Sequence, residues 1–219
     1  MKTPHSLLLI AAVALLFGCA SERKMVITVA SSLSDAAIAK IGADSVNAET
    51  LCALIEKEKA EANRRGVRAT IVLKVDPQAP YSKLENVLEC CGAREVKTVT
   101  ITDDHSTHAV RIRSKKAETK EPYIFVTLWM SDGLSEIVAG IREITPGAVS
   151  TDTVASVVQV FDDMRGILAR AKERLIKQKA KTFSVLIDSR PDVTISKVLT
   201  VLSICEQVGL TPEVIAPRW

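Results

Sequence analysis

Residues 71–91, IVLKVDPQAPYSKLENVLECC, and residues 183–205, FSVLIDSRPDVTISKVLTVLSIC, are two versions of one unit, and their likeness decides how the chain is read. Ser82-Lys83-Leu84, Val87-Leu88 and Cys91 are answered by Ser196-Lys197-Val198, Val201-Leu202 and Cys205 at a constant spacing of 114 residues. Upstream of each stands an apolar run closed by an aspartate, Ile71 to Val75 with Asp76 and Phe183 to Ile187 with Asp188. The aspartates are 112 residues apart, which implies two extra residues in the second strand-to-helix loop, where an insertion costs least.

The likeness extends backward. Leu33-Ser34-Asp35 before Ile38 to Ile41 parallels Leu134-Ser135-Glu136 before Val138 to Ile141, each behind a β-rich run, Met25 to Val29 and Tyr123 to Trp129. Met25 to Val29 with Ala37 to Ile41 reads as a hairpin. Asn47 can cap a helix with Leu51, Leu54, Ile55 and Ala62 inward, and Gly66 stops it. Ile71 to Val75 is too short and too β-branched for a helix and reads as a buried strand. A helix from Ser82 to Cys91 and a strand from Val96 to Ile101 complete the order ββαβαβ. The second copy repeats it with a longer first helix, Thr153 to Lys179, whose seam runs Val157, Phe161, Met164, Leu168, Ala171 and Leu175. The fold class this predicts is α+β, two tandem ββαβαβ domains with helices packed on one face of a small sheet. About 80 residues make a marginal core, so the copies are expected to pack together.

At 219 residues and 23.7 kDa, with 47% hydrophobic side chains, the chain can bury one large core or two small ones, and a coil is excluded. A net charge of +3 and 4% aromatic residues supply neither the basic footprint nor the stacking surface of a nucleic-acid binder.

The N-terminus has the character of an export signal. Lys2 precedes an apolar run from Leu7 to Gly18, shorter than the about 20 residues that cross a bilayer. Leu16-Phe17-Gly18-Cys19 resembles the lipobox of bacterial lipoproteins, with Cys19 as the lipid-attachment residue; a plain secretory signal and an undersized anchor helix are the alternatives. The chain then divides into a signal peptide at 1–18, a lipid-anchored tether at 19–24, a first domain at 25–103, a linker at 104–121 and a second domain at 122–219. Within the linker, Val110-Arg111-Ile112-Arg113 alternates like an edge strand.

Chemistry-bearing residues are few. Asp103, Asp104, His105 and His108 have metal-ligand character but lack a helix to converge them, and read as solvated linker. No metal site, no cofactor site and no catalytic set is expected, since no phosphate loop appears and only His105 and His108 remain as imidazoles after the signal. Cys52, Cys91 and Cys205 fall on apolar helix faces and read as buried thiols, with a bridge from Cys52 to Cys90 or Cys91 as the alternative; Cys90-Cys91 reads as one thiol in and one out. Arg170, Lys172, Arg174 and Lys177 lie in a basic tract that can contact an anionic polymer such as peptidoglycan, or form the wet face of an amphipathic helix.

Ile71 to Asp76, Ala79-Pro80-Tyr81, the helix through Val87-Leu88 and the strand Val96 to Thr102 together resemble the periplasmic domain of the ExbD/TolR biopolymer-transport family. That family shows an apolar strand ending in Asp, a loop often reading V-P-Y, an amphipathic helix and a last strand. The second copy is similar, with Thr194-Ile195 in place of Pro-Tyr, and the resemblance covers residues 25–103 and 122–216. It implies a non-enzymatic envelope protein acting by partner contacts, with Asp76, Pro80, Tyr81 and Asp188 shaping the strand-end loops. Family members carry a buried acidic residue in a membrane helix; the apolar run here has none, so the resemblance does not extend to proton relay. The implied partners are other envelope proteins, ExbB/TolQ-like or TonB/TolA-like components among them, and the membrane through the anchor, with peptidoglycan and a homodimer as further expectations and no nucleic acid. The implied location is the cell envelope, facing the periplasm from either membrane.

Overall fold

A computed structural model describes residues 22–34, 36–114, 122–130, 137–144, 156–158, 161–178 and 184–216. The first copy runs β1 (Arg23–Val29), β2 (Ala39–Ile41), β3 (Asp44–Val46), α1 (Ala48–Arg64), β4 (Ala69–Val75), α2 (Tyr81–Ala93) and β5 (Thr98–Thr102). Strand β6 (Thr107–Ser114) follows. The second copy runs β7 (Tyr123–Met130), β8 (Ile137–Ile144), β9 (Ser156–Val158), α3 (Phe161–Lys177), β10 (Ser184–Ser189), α4 (Ile195–Gln207) and β11 (Thr211–Ala216). The signal, Cys19, the start of the tether, Asp35 and Leu134-Ser135-Glu136 lie outside the described residues.

Local chemistry places the first helix as the sequence implies. The Asn47 side chain accepts from Thr50 N at 2.9 Å, Leu51, Ile55 and Ala62 are buried, and Gly66 takes the left-handed φ of 66° that ends the helix. Met25, Ile27 and Val29 of β1 alternate with Lys24, Val26 and Thr28, so one strand face is buried and the other open.

Several expectations need correction. Each copy has three strands before its first helix. The third is only three residues long, below what periodicity detects. Ser156–Val158, expected within the long helix, is β9 paired with β8, so Val157 belongs to no helical seam and α3 begins at Phe161. The fold is a mixed α/β arrangement on one large sheet instead of two small α+β sheets: its order is β3-β2-β1-β4-β5-β6-β11-β10-β7-β8-β9. The segment expected as a linker supplies the central strand. β6 pairs antiparallel with β5 and parallel with β11, and Val110 is fully buried while Arg111 is exposed. Alternation of that kind marks a strand with one covered face, and it is the same at the edge and at the centre of a sheet.

The sheet order reads the same inward from either end. Because β5 opposes β6 while β11 follows it, the two copies run in opposite directions, as a two-fold axis normal to the sheet at β6 requires. Over the axis the strand-to-helix loops meet. Pro80 pairs with Thr194; Tyr81 N donates to Val193 O at 2.7 Å and Ile195 N to Ala79 O at 2.9 Å. Ser82 N donates to Pro191 O at 3.1 Å and Ser196 N to Pro77 O at 2.8 Å. Every pair is related by the 114-residue spacing. That spacing therefore holds through strand, loop and helix, and the two-residue insertion is overturned: Asp76 corresponds to Arg190, and Asp188 to Lys74. The aspartates ended similar apolar runs without being equivalent.

The C-terminal ends of α2 and α4 are also alike. Val96 N returns to Cys91 O at 2.9 Å and Leu210 N to Cys205 O at 2.8 Å. Lys59 of α1 caps Arg94 O, and Lys172 of α3 caps Val208 O at 2.7 Å. The turn needs positive φ. Gly209 supplies it at 66°, whereas exposed Glu95 adopts 55° with a side chain that penalises the conformation. Glu95→Gly is therefore expected to stabilise the protein by about 0.5–1 kcal/mol, while Gly209→Ala costs about 1 kcal/mol. Urea midpoints of the two variants measure both effects.

Candidate functional site

The strand-end loop residues form a joint between the copies. Asp76 Oδ2 accepts from Ser31 N at 3.2 Å and from the Ser31 hydroxyl, and Oδ1 accepts from Gln78 N at 2.9 Å. These donors, the Ser31 hydroxyl foremost, hold the Asp76 carboxyl below its ordinary range. Pro80 stands beside the two-fold axis, opposite Thr194, and its missing N–H is harmless because the bridging bonds use the residues on either side. Tyr81 is 1% exposed, its hydroxyl has no hydrogen-bond partner among the described residues, and burial pushes the phenol up, with Asp188 and Glu85 adding to it. Asp188 sits within β10 and not in the loop.

The structure divides the four cations of the basic tract on α3. Arg170 and Lys177 are exposed. Lys172 is engaged with Val208 O and, at 3.1 Å, Gly209 O, and Arg174 Nε donates to Glu143 Oε1 at 2.8 Å. Half of the expected anion-contacting set thus holds the fold together. The seam beneath them forms as expected, with Met164, Leu168, Ala171 and Leu175 buried.

The metal-like cluster separates. Asp103 Oδ1 accepts from His105 N at 2.9 Å and Ser106 Oγ at 2.9 Å, shaping the β5–β6 turn. His108 is 3% exposed, so it belongs to the interior and not to a solvated linker. Its Nδ1 lies 3.0 Å from Glu206 Oε1 without hydrogen-bond alignment, and its Nε2 lies 3.5 Å from Ser203 Oγ, both on α4. Among the described residues no group of three His, Cys, Asp or Glu could hold a metal, and no helix is long and apolar enough to cross a membrane.

A cluster of charge lies on the other face of β6. Arg111 and Arg113 alternate with His108 and Val110, and so project away from α2 and α4. Arg113 Nε is 2.6 Å and Arg111 Nη1 4.0 Å from the carboxylate of Glu213 on β11, a buried side chain. Among the described residues neither Arg113 Nη1 nor Glu213 Oε2 completes an aligned hydrogen bond. The Arg113 guanidinium carbon lies 5.8 Å from the Tyr123 ring centroid, a cation–π distance. Arg111, Arg113 and Glu213, with Arg68, Lys97, Thr98 and Ile112, line a shallow depression of about 580 Å³. Four cations face one carboxylate there, which suits an acidic ligand. Sequence reasoning passed over this site; the alternation of Val110 to Arg113 and the single acid of the strand Thr211–Ala216 were its only signals.

No protein-family model matches the chain, and no curated protein matches it.

Two measurements test the loop joint. Tyr81→Phe removes a buried hydroxyl without a partner and is expected to stabilise the chain by about 1 kcal/mol, read as a raised thermal midpoint. The Asp76 carboxyl is depressed in the folded state, so its contribution is present above the unfolded value of about 3.9 and is lost as pH falls through the lower folded value. The stability difference between the natural chain and Asp76→Asn, from urea unfolding, is expected to be larger at pH 7 than at pH 2.5.

Proposed function

We propose that the chain is a non-enzymatic envelope protein of the ExbD/TolR-like biopolymer-transport class, anchored at Cys19, facing the periplasm, and acting by contact with other envelope proteins. The observation that carries this reading is the reciprocal joint at Pro80 and Thr194, in which two copies of one unit meet about a two-fold axis inside a single chain. A family-like pair of domains is then supplied by one polypeptide, and a homodimer is not needed to assemble it. In this reading the four helices form one layer over one face of the sheet, in the order α1, α2, α4, α3, supported by the successive contacts between them. The opposite face, with Arg111, Arg113 and the depression around Glu213, is left for a partner. The short edges β3 and β9, three residues each, suit strand addition less well than this face does.

A second reading, a peptidoglycan-binding structural lipoprotein with no link to a motor, is favoured by the same cluster of cations. It rests on β6 more than on α3, since Lys172 and Arg174 are engaged internally.

Light scattering of the detergent-extracted chain, paired with in-cell photocrosslinking from exposed Thr98, tests both. The first reading expects a one-chain mass and an adduct with a second envelope protein. Crosslinking to cell wall alone, abolished by Arg111→Glu with Arg113→Glu, would give the chain to the second reading. A stable two-chain species with self-adducts alone would overturn both.

A further inference from the structure

The thiols of the first copy are arranged for a covalent link. Cys52 lies on α1 and Cys90 on α2, two helices in direct contact. Cys90 Sγ donates to Ala48 O at 3.4 Å, and Ala48 is one helical turn before Cys52. Side chains on a helix lean toward its N-terminus, so the Cys52 thiol covers the same turn that Cys90 touches. The Cys52 thiol is therefore a near neighbour of the Cys90 thiol and adds to the pressure of burial on it. Cys91, on the next position of α2, is fully buried and turns into the core, so the expectation of one thiol in and one out at Cys90-Cys91 is replaced by two buried thiols, of which Cys90 hydrogen-bonds to α1 at Ala48. Cys52 is half-buried and is the member of the pair that solvent reaches.

We propose that Cys52 and Cys90 are a disulfide-forming pair that clamps α1 to α2 when the chain meets a disulfide oxidant. The oxidant is a small-molecule or protein disulfide of the kind an oxidising compartment maintains. The Cys52 thiolate attacks one sulfur of the oxidant, forming a mixed disulfide and releasing one thiolate. Cys90 then loses its proton to solvent and its sulfur attacks Cys52 Sγ, which expels the second thiolate of the oxidant. Two protein thiols lose two electrons and two protons, and one disulfide becomes two thiols. Burial pushes the Cys90 thiol up, so the second step is the slow one and quickens as pH rises.

The test treats the full chain with oxidised glutathione at pH 8 and follows intact mass, then maps peptides without reduction. The expected result is a transient glutathione adduct on Cys52 that resolves to a species about 2 Da lighter than the reduced chain, with the Cys52 peptide joined to the Cys90-Cys91 peptide. Fragmentation of the joined peptide assigns the link, and Cys91→Ala is expected to keep it while Cys90→Ala leaves the glutathione adduct unresolved. A persistent Cys52 adduct in the natural chain, a link through Cys91, or a link between Cys90 and Cys91 would each overturn the pairing. The assignment is made on the natural chain, so a variant that fails to fold does not affect it.

Discussion

The structure depends on how two helix N-termini are capped. The first N–H groups of any α-helix lack partners within it, and a side-chain oxygen at the N-cap ordinarily takes one. Neither α2 nor α4 has such a cap: Pro80 offers no acceptor, and the Thr194 hydroxyl bonds the Ser196 hydroxyl instead. The carbonyls of Ala79 and Pro77 serve α4, and those of Val193 and Pro191 serve α2. Each half thus satisfies buried donors of the other, and either half alone would leave them to water. That mutual requirement is why the two copies form one body with one core, which runs from Met25 of β1 to Val214 of β11.

β6 does the corresponding task in the sheet. It is no part of the repeat, and it lets two units of opposite direction share one ladder by running against β5 and with β11. Its two faces have separate fates. His108 and Val110 go to the interior under α4, and Arg111 and Arg113 go to the open face with Glu213. A cluster of cations around Glu213 thereby lies on the strand that joins the two copies.

The repeat also shows which polar contacts belong to folding. Lys59 and Lys172 occupy corresponding places on α1 and α3 and cap the C-terminal carbonyls of α2 and α4. A lysine that recurs in one task in both copies is structural, which removes Lys172 from the exposed charge of the basic helix. Arg174 is withdrawn in a different way, by Glu143 of β8, a residue far away in sequence.

Local signals were enough for α1, with Asn47 at its start and Gly66 at its end, for the buried strand β4, for the seam of α3 and for the existence of the repeat. In each of these the physics acts within one or two turns or along one strand, so residue spacing carries it. The sequence by itself determined that two like units stand 114 residues apart and which faces of their helices are apolar. It did not determine that Thr107 to Ser114 is central, because alternation reports one covered face and says nothing of the neighbours on either side. Nor did it separate Asp188 from Asp76 as counterparts, since an apolar run followed by an aspartate fits two registers one pleat apart. The pairing of Pro80 with Thr194, the burial of His108, the ion pair of Arg113 with Glu213 and the nearness of Cys52 to Cys90 were decided by tertiary structure alone. Each joins groups from 38 to 114 residues apart, and only the assembled sheet and the helices packed on it bring them together.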